Sequence, residues 1–346
     1  MSSKENTLII RADASASMGV GHVMRCIALG QAWVESGGKV IFLSTLVSDV
    51  LKRRIIDEGF GLVALDAAYP GSDTDLAALL ALGGNAGARW VVVDGYHFDL
   101  TYQKTLRQGG FKLLCIDDYN HLPKYEADIL LNQNIDAEAL DYDCNSGCLN
   151  MLGLKSVLLR REFRMMRARE DVADPVRHVL ILLGGSDPGN VTTKVVEALR
   201  ELDFSPWEIK ILVGPANAHS DEIVTACERL PIELLFNVTD MPELLCRTDF
   251  AISAGGSTCW ELAAAGVPFA TVTVADNQEG IVDGLERRCG VPSLGRPDAG
   301  FKGRVLDLFN ALAAQTVDLD ACRARLLAEV STGGAEHVVN EMRRSQ

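Results

Sequence analysis

The sequence predicts an α/β protein built from two parallel β-sheets, each covered by helices. Short apolar runs alternate with segments of helical periodicity along the whole chain, and this alternation is typical of parallel sheets with helices on both faces. The runs are too numerous for one ordinary open sheet, and the 346 residues are enough for two domains of ordinary size. We therefore expect two Rossmann-like domains that face each other across a ligand-binding cleft.

Each predicted strand is a short apolar run between polar segments. The predicted strands of the first half are Thr7–Arg11, Lys39–Ser44, Gly61–Leu65, Trp90–Asp94, Lys112–Asp117 and Ile129–Asn132. Those of the second half are His178–Leu183, Glu208–Val213, Ile232–Phe236, Phe250–Ser253 and Phe269–Val274. Helical periodicity is found at Cys26–Trp33, Val195–Leu202 and Glu261–Ala265.

A polar segment, Asp171–Pro175, marks the predicted boundary between the domains. It contains a proline and follows the charged stretch Arg160–Glu170, a combination typical of linkers. The expected domains are residues 1–172 and 173–346, and the last helix is a candidate to pack back on the first domain. Each half then opens with a strand and a glycine-rich turn, although no clear sequence repeat is present.

The charge balance limits the classes of ligand. The net charge is −14 and the isoelectric point is about 4.9, which argues against nucleic-acid binding because that depends on a basic surface. A small anionic ligand is still allowed, since backbone N–H groups at a helix N-terminus can hold a phosphate without any net positive charge. No apolar stretch approaches membrane-spanning length, and nothing in the sequence fixes an oligomeric state.

The nine cysteines are scattered, and several lie in apolar runs where they resemble buried small side chains. Cys144 and Cys148 are the closest pair and could belong to a metal site. However, no second pair or histidine set completes such a site, so no metal is expected there. Reduced thiols and the lack of a secretory signal favour the cytoplasm.

The segment Met18–Arg25 carries the first functional signal. A strand, a turn with two glycines and a helix follow one another here, and Gly21 directly precedes His22. Arg25 lies three residues further on, hence on the same helical face. This arrangement suggests an acid–base group beside an anion site, whereas the alternative is a histidine that only caps the helix or points to solvent. The spacing is not the dinucleotide fingerprint, because the third glycine is missing.

The segment Ser253–Pro268 carries the second signal. Gly255 and Gly256 allow close backbone approach at a strand end, and Ser257 and Thr258 add hydroxyl groups where the helix dipole is positive. A diphosphate would fit this turn. Glu261, one turn into the helix, could accept hydrogen bonds from a ribose diol. Alternatively, it only stabilises its own helix from the first turn.

Polar side chains follow several other predicted strands. Asn277 and Gln278 lie beyond the last strand, where amides can orient a sugar or a water molecule. Each such group could be turn chemistry or a helix cap, but several of them in one domain favour a binding cleft. In the first half the strand-end groups are Asp94–His97, Asp117–Tyr119 and Asn132–Asn134.

Taken together, these motifs resemble a family of hydrolases of pseudaminic acid biosynthesis, which act in flagellin glycosylation. The enzymes of this family cleave UDP-2,4-diacetamido-2,4,6-trideoxy-β-L-altropyranose, and their fold is of the GT-B type found in two-domain glycosyltransferases. The matching segments are Arg11–Asp13, Met18–Cys26, Asp94–Tyr96, Ile116–Asp118, Asn132–Asn134, Gly184–Asp187, Ser253–Pro268 and Asn277–Gln278. They cover nearly the whole chain in order. One segment departs from the family pattern, because Gly153–Ser156 lacks the proline and tyrosine expected beside the glycine.

The resemblance implies a role for each candidate residue. Uracil would lie near Asn237 and Val238, ribose on Glu261, and the diphosphate at the turn after Ser253, with Gln278 beside the substrate. His22, Tyr96 and Asn277 would be catalytic, and water would attack the anomeric carbon with inversion to release UDP. No metal or other cofactor is implied. The remaining expected substrate-binding residues are Asp13, Gly21, Arg25, Gly255, Gly256, Ser257 and Thr258.

General chemistry fits this expectation and leaves two alternatives. A glycosyl phosphate has a good leaving group, so catalysis needs a positioned water, one base of near-neutral pKa and stabilisation of the departing diphosphate. His22 has a suitable side chain for the base, with Tyr96 or Asp13 as the alternative. The protein could instead be a glycosyltransferase that uses a related UDP-sugar, or a non-catalytic nucleotide-sugar binder.

Overall fold

The computed structural model describes residues 6–14, 19–45, 48–65, 69–171, 173 and 175–345. The chain forms two compact units. The first contains the described residues from 6 to 161 except Gly19, together with residues 332–345, and the second contains Gly19 and residues 162–331. Ser15, Ala16, Ser17 and Met18 of the first motif, and Val172 and Asp174 of the predicted boundary, lie outside the described residues.

The first unit is a seven-stranded parallel sheet with helices. Its strand order is β3-β2-β1-β4-β5-β6-β7. The strands are β1 (Thr7–Ala12), β2 (Lys39–Ser44), β3 (Gly61–Ala64), β4 (Trp90–Asp94), β5 (Lys112–Ile116), β6 (Ile129–Asn132) and β7 (Leu149–Leu152). Helices α1 (Gly21–Glu35), α2 (Asp49–Asp57), α3 (Asp73–Ala86) and α4 (Leu100–Gln108) lie between the strands. The central strands are mainly apolar because both sheet faces are covered.

One strand of this sheet is missing from the sequence prediction. β7 pairs in parallel with β6 at the edge of the sheet. Its sequence, Leu-Asn-Met-Leu, lacks β-branched residues, and Leu149 is partly exposed. A short edge strand needs little apolar surface, so its periodicity signal is weak.

The second unit is a five-stranded parallel sheet. Its order is β10-β9-β8-β11-β12, with β8 (His178–Leu182), β9 (Glu208–Val213), β10 (Ile232–Phe236), β11 (Phe250–Ala254) and β12 (Phe269–Val272). The short helix α5 (Arg161–Arg164) carries the chain from the first unit into the second. The remaining helices are α6 (Val191–Leu199), α7 (Ser220–Cys227), α8 (Met241–Cys246), α9 (Thr258–Ala265), α10 (Glu279–Cys289), α11 (Phe301–Ala313) and α12 (Leu319–Glu329).

The units meet along the sequence between Arg161 and Glu162, ahead of the polar Asp171–Pro175 segment. The backbone N–H of Arg169 donates to the carbonyl of Ala265 at 3.0 Å, and its guanidinium pairs with Asp249 at 3.1 Å. These contacts attach the charged stretch before the proline to the second unit.

The last helix, α13 (Gly334–Arg344), belongs to the first unit and packs on α1. Its Val338 and Met342 are buried in the core cluster that contains Trp33 of α1. The guanidinium of Arg343 lies 3.9 Å from the centre of the Trp33 ring, which is a cation–π contact. Among all the helices that the structure describes, none has the length and apolar character needed to cross a bilayer.

Candidate active site

Strand order reverses at one point in each sheet, and both glycine-rich segments follow strands at these points. In the first unit β1 lies between β2 and β4, so helices α1 and α4 follow neighbouring strands. In the second unit β8 lies between β9 and β11. Open α/β sheets bind ligands beyond the carboxyl ends of the strands at such switch points. The candidate residues are therefore examined in each unit separately.

His22 lies in the first turn of α1 and is held by Asp94, the last residue of β4. Its Nδ1 is 2.6 Å from Asp94 Oδ1, and both side chains are buried. Burial raises the pKa of Asp94, but the charges and hydrogen bonds of Arg25 and His22 outweigh burial and keep that pKa well below its usual value. Because the carboxylate only accepts hydrogen bonds, the imidazole donates from Nδ1 and its Nε2 is left as the basic nitrogen.

Arg25 pairs with two carboxylates, whereas the sequence suggests an anionic ligand as its partner. Its Nε donates to Asp94 Oδ2 at 2.7 Å and its Nη1 donates to Asp118 Oδ1 at 2.6 Å. Burial lowers the pKa of Arg25, but the charges and hydrogen bonds of Asp118 and Asp94 raise it by more, so the net shift of this pKa is upward. The guanidinium is thus a fixed cation that orients the carboxylate behind His22.

Tyr96, two residues beyond β4, belongs to the same cluster. Its hydroxyl donates to Asp118 Oδ2 at 2.7 Å, and its ring lies edge-on to the His22 ring, with centroids 5.4 Å apart. The amide of Asn134, beyond β6, donates to Asp118 Oδ1 at 2.9 Å. The polar strand ends of β4, β5 and β6 therefore meet around α1. Sequence reasoning named these segments, but it did not foresee that Asp94 and Asp118 hold His22 and Arg25.

Asp13 lies in a second buried charge cluster, beside β1. Its Oδ1 accepts from Arg11 Nη1 at 2.6 Å and from the backbone N–H of Thr45 at 2.7 Å. Arg11 also forms three hydrogen bonds to Asp75, which accepts from Tyr102 as well. Burial raises the pKa of Asp13, and the contacts with Arg11 and Thr45 reverse that effect, so the net shift is downward. Asp13 therefore stays ionised, and its Oδ1 is occupied by hydrogen bonds from these partners.

A second carboxylate–imidazole pair was missed by sequence reasoning. Asp117 Oδ2 contacts His121 Nδ1, and the carboxylate also accepts from the hydroxyls of Tyr125 at 2.8 Å and Tyr142 at 2.7 Å. Burial raises the pKa of Asp117, but the hydrogen bonds from His121, Tyr142 and Tyr125 lower it to about 2. The signal in the sequence was a histidine four residues after a strand-end aspartate.

In the second unit, the Gly255–Thr258 turn connects β11 to α9. A Cβ atom on Gly255 would lie 2.6 Å from Val282 Cγ2, so the turn passes too close to α10 for any larger residue. The backbone N–H of Gly255 donates to Val272 of the neighbouring strand. Ser257 and Thr258 are half-buried at the start of α9, where the first N–H groups of a helix lack intrahelical acceptors. The turn thus has the local features of an anion site.

Three other predicted residues flank this turn. Glu261 lies in the first turn of α9 and is half-buried. Asn277 and Gln278 form a 3-10 turn before α10, where Asn277 is exposed. The side chain of Gln278 accepts a hydrogen bond from the backbone N–H of Val274 at 3.0 Å. Its Cβ atom would lie 3.3 Å from a Cβ placed on Gly255. Gln278 therefore supports the loop after β12.

The residues expected near uracil lie directly after β10. Asn237 is exposed and has a φ of +53°, a left-handed conformation that asparagine tolerates better than most residues. Val238 lines a cavity of about 220 Å³ together with His178 and Glu208. Those two residues begin β8 and β9, so this cavity reaches toward the end of the sheet opposite to Gly255.

The Gly153–Ser156 segment, which departs from the family pattern, has a packing role. Gly153 has a φ of +86°, and Leu154–Ser156 form a 3-10 turn that contacts α13. A Cβ atom on Gly334 would lie 2.3 Å from the carbonyl oxygen of Val157. The segment and the last helix therefore fit closely within the first unit.

Comparison with known proteins relates the chain to proteins of nucleotide-sugar chemistry. A family model, the glycosyltransferase family 28 C-terminal domain, matches residues 179–283. The uncharacterized protein MJ1062 of Methanocaldococcus jannaschii is 28% identical over 82% of this chain and 57% of its own length. The UDP-2,4-diacetamido-2,4,6-trideoxy-beta-L-altropyranose hydrolase of Campylobacter jejuni is 24% identical over 56% of this chain and 65% of its own length. In both cases the match spans less than two thirds of the relative.

Solved structures resemble the whole chain in fold. The MurG structure from Acinetobacter baumannii has a TM-score of 0.66 at 15% identity and covers 98% of this chain and 99% of its own. The spinosyn rhamnosyltransferase SpnG, solved with thymidine diphosphate, has a TM-score of 0.69 at 15% identity and covers 98% of this chain and 100% of its own. With the sheets of seven and five strands, this likeness confirms the predicted fold class, a two-domain Rossmann-like GT-B fold.

Proposed function

We propose that the protein hydrolyses UDP-2,4-diacetamido-2,4,6-trideoxy-β-L-altropyranose to UDP and the free sugar, with inversion, as a step of pseudaminic acid biosynthesis. The observation that carries the proposal is the contact between His22 and Asp94. A buried carboxylate that stays ionised holds Nδ1 at 2.6 Å, so the imidazole can accept a proton at Nε2. A protein that only bound the nucleotide sugar would not need this arrangement.

The proposed step is a single displacement at the anomeric carbon. The oxygen of a water molecule forms a bond to that carbon while its proton passes to His22 Nε2. The bond between the anomeric carbon and the phosphate oxygen breaks, and its electron pair leaves with UDP. The imidazolium that forms is stabilised by Asp94, as expected for a carboxylate behind a general base.

Departure of the diphosphate is assigned to the Gly255–Thr258 turn in the second unit. The turn leads into the N-terminus of α9, and the positive end of a helix dipole favours negative charge. Stabilisation at a helix terminus requires no net basic charge, so it is compatible with the acidic composition. Glu261 is assigned to the ribose, and Asn277 to orienting the water or the sugar.

Tyr96 is assigned to holding the sugar beside His22. Its ring stands against the imidazole, and its hydroxyl is already engaged by Asp118. The hydroxyl is therefore fixed in place as a contact for the substrate.

The hydrolase of Campylobacter jejuni supports this choice of substrate, since it is named for the same UDP-sugar.

A glycosyltransferase is the second candidate. The match of residues 179–283 to a glycosyltransferase domain favours it, as does the likeness to glycosyltransferase structures. Both reactions use a nucleotide-sugar donor, and they differ in whether water or an acceptor hydroxyl attacks.

One assay separates these candidates. The purified protein is incubated with the UDP-sugar in the absence of any acceptor, and UDP and free sugar are quantified over time. Hydrolysis predicts equal amounts of both products with sustained turnover. A glycosyltransferase would release UDP at an appreciable rate only after an acceptor is added, and a binding protein would release none.

A further inference from the structure

Tyr96 contacts two imidazole rings, of which the proposed reaction uses only one. Its ring centroid lies 5.4 Å from that of His22 and 5.3 Å from that of His121. Each imidazole is bound through Nδ1 to its own carboxylate, Asp94 for His22 and Asp117 for His121. The second pair therefore repeats the arrangement of the first beside the same tyrosine.

The ring of His121 has one nitrogen without a partner. Its side chain is only 10% exposed, and Nε2 is buried with no hydrogen bond to any part of the chain that the structure describes. A buried polar atom in this state destabilises the fold, and such atoms are uncommon in folded proteins. Water or a ligand group would remove this cost.

The partners of Asp117 determine what kind of group Nε2 can bind. The carboxylate accepts hydrogen bonds from Tyr125, Tyr142 and the backbone N–H of Tyr119, so it remains an acceptor for His121 Nδ1 as well. A neutral imidazole that donates from Nδ1 has a lone pair at Nε2. Nε2 therefore requires a hydrogen-bond donor.

The rings of Tyr96, Tyr119 and Tyr125 pack around the His121 ring. The Tyr119 ring lies 6.0 Å from that of His121 and 5.0 Å from that of Tyr96. Tyr119 is 45% exposed, which is unusual for a large ring packed against other rings. Its backbone is fixed, because its N–H donates to Asp117 at 2.9 Å. Because the Tyr119 side chain is exposed, the cluster of rings reaches solvent on this side.

We propose that Tyr96, Tyr119 and His121 form a subsite for an acylamino substituent of the sugar. The amide N–H of the substituent donates to His121 Nε2, and its methyl group packs on the rings of Tyr96 and Tyr119. A hydroxyl substituent would supply the donor but no apolar group for the two rings. This inference rests on the proposed function, because it places the sugar beside the His22–Asp94 pair.

The direct test is nuclear magnetic resonance of the wild-type protein labelled with 15N-histidine. The sequence contains six histidines, and the signal of His121 is assigned by its loss in His121→Phe. The probe is a phosphonate analogue of the diacetamido UDP-sugar in which a methylene replaces the anomeric oxygen, so that it is not hydrolysed. We expect the Nε2 resonance of His121 to shift with this analogue and not with UDP alone.

Steady-state kinetics supply a second readout. His121→Phe keeps a ring but removes the acceptor, and it is expected to raise KM for the diacetamido UDP-sugar about tenfold, which corresponds to one lost hydrogen bond. Its kcat and its affinity for UDP should change little. Tyr119→Ala, at a half-exposed position, tests the same subsite if His121→Phe folds poorly. Tyr69→Ala is the matched control, because Tyr69 is 75% exposed and has no part in the cluster.

The outcomes separate this inference from the proposed function. If the analogue binds by calorimetry but the Nε2 resonance of His121 does not move, the subsite assignment is wrong while the hydrolase proposal stands. Unchanged KM in both His121→Phe and Tyr119→Ala would have the same meaning. If neither the analogue nor the UDP-sugar binds or reacts, the proposed function fails and the subsite fails with it.

Discussion

Asp94 Oδ1 lies 2.6 Å from His22 Nδ1, and the same oxygen accepts from Arg25 Nη2 at 2.7 Å. The carboxylate is buried and its pKa is held well below the usual value. The imidazole is therefore fixed in orientation by a group that neither donates nor loses its charge near neutral pH. Arg25 neutralises this buried charge, which would otherwise be costly.

His22→Asn is expected to abolish most turnover and to keep UDP binding. Asparagine preserves a polar side chain at the helix start but cannot accept the proton of the attacking water. The loss of kcat should be on the order of 10²-fold or more, and excess substrate should not restore it, because the defect lies in the transition state. Steady-state kinetics and UDP calorimetry measure the two effects.

His219→Asn is a suitable control for this variant, because His219 lies before α7 in the second unit and its imidazole pairs with Glu222, three residues further on. It should behave as wild type in both measurements. A His22→Asn protein with wild-type kcat would exclude His22 as the base and turn attention to Tyr96 or Asp13.

Asp94→Asn is expected to lower kcat strongly while KM changes little. An amide at this position can donate to His22 Nδ1, which favours the tautomer that carries its proton on Nε2 and so removes the acceptor for water. By analogy with other carboxylate–histidine pairs, the loss should be roughly 10²-fold or more. Steady-state kinetics of the variant measure kcat and KM separately.

The second unit offers a matched control for that experiment. Asp249 Oδ2 lies 2.8 Å from His178 Nδ1, so Asp249→Asn changes a similar pair at the start of β8. It should leave kcat unchanged even if stability falls. Equal losses of kcat in both variants would mean that Asp94 acts through folding and not through His22.

Glu261→Ala is expected to weaken UDP binding by about 1–3 kcal/mol, because the carboxylate is assigned to the ribose hydroxyls. Glu222→Ala removes another first-turn glutamate, in α7, and controls for the general effect of charge at a helix start. Isothermal calorimetry with UDP distinguishes the two variants. Unchanged affinity in folded Glu261→Ala would exclude the ribose contact.

The sequence predicts the fold class because parallel strands that are buried on both faces appear in the sequence as continuous apolar runs. Trp90–Asp94 and Ile129–Asn132 match the strands of the structure, and α1 contains the predicted helical segment Cys26–Trp33. β7 escapes prediction because an edge strand buries little. The attachment of residues 162–171 to the second unit also escapes prediction, since it depends on contacts of Arg169 with residues far along the sequence.

The sequence predicts which types of residue form the candidate site, but it predicts less well which side chains pair with one another. His22 and Arg25 are adjacent on one helical face by spacing alone, and the structure bears out that they are close. The pairing of Arg25 with Asp94 and Asp118 could not be predicted without the strand order. That order places β1, β4 and β5 side by side. His121 was overlooked because its carboxylate partner precedes it in a loop, where no periodicity relates the two.

The last prediction concerns Asp117 and acid stability. Hydrogen bonds to the ionised carboxylate outweigh burial and lower its folded-state pKa from 3.8 to about 2. A carboxylate whose pKa is lower in the folded state stabilises the fold above its unfolded pKa, and this contribution is lost as the pH falls through the folded pKa. The stabilising contribution of Asp117 is therefore fully present above pH of about 4 and is lost as the pH falls toward about 2. This contribution amounts to about 2 kcal/mol.

Asp117→Asn should therefore lower the free energy of unfolding by about 2 kcal/mol at pH 7, with the deficit shrinking between pH of about 4 and 2. Urea unfolding of both proteins across this range measures the difference. Asp49→Asn is the control, because Asp49 is a highly exposed carboxylate paired with Lys52, and exposed pairs contribute little. A deficit in Asp117→Asn that stays constant down to pH 2 would show that the carboxylate's charge is not what stabilises this loop.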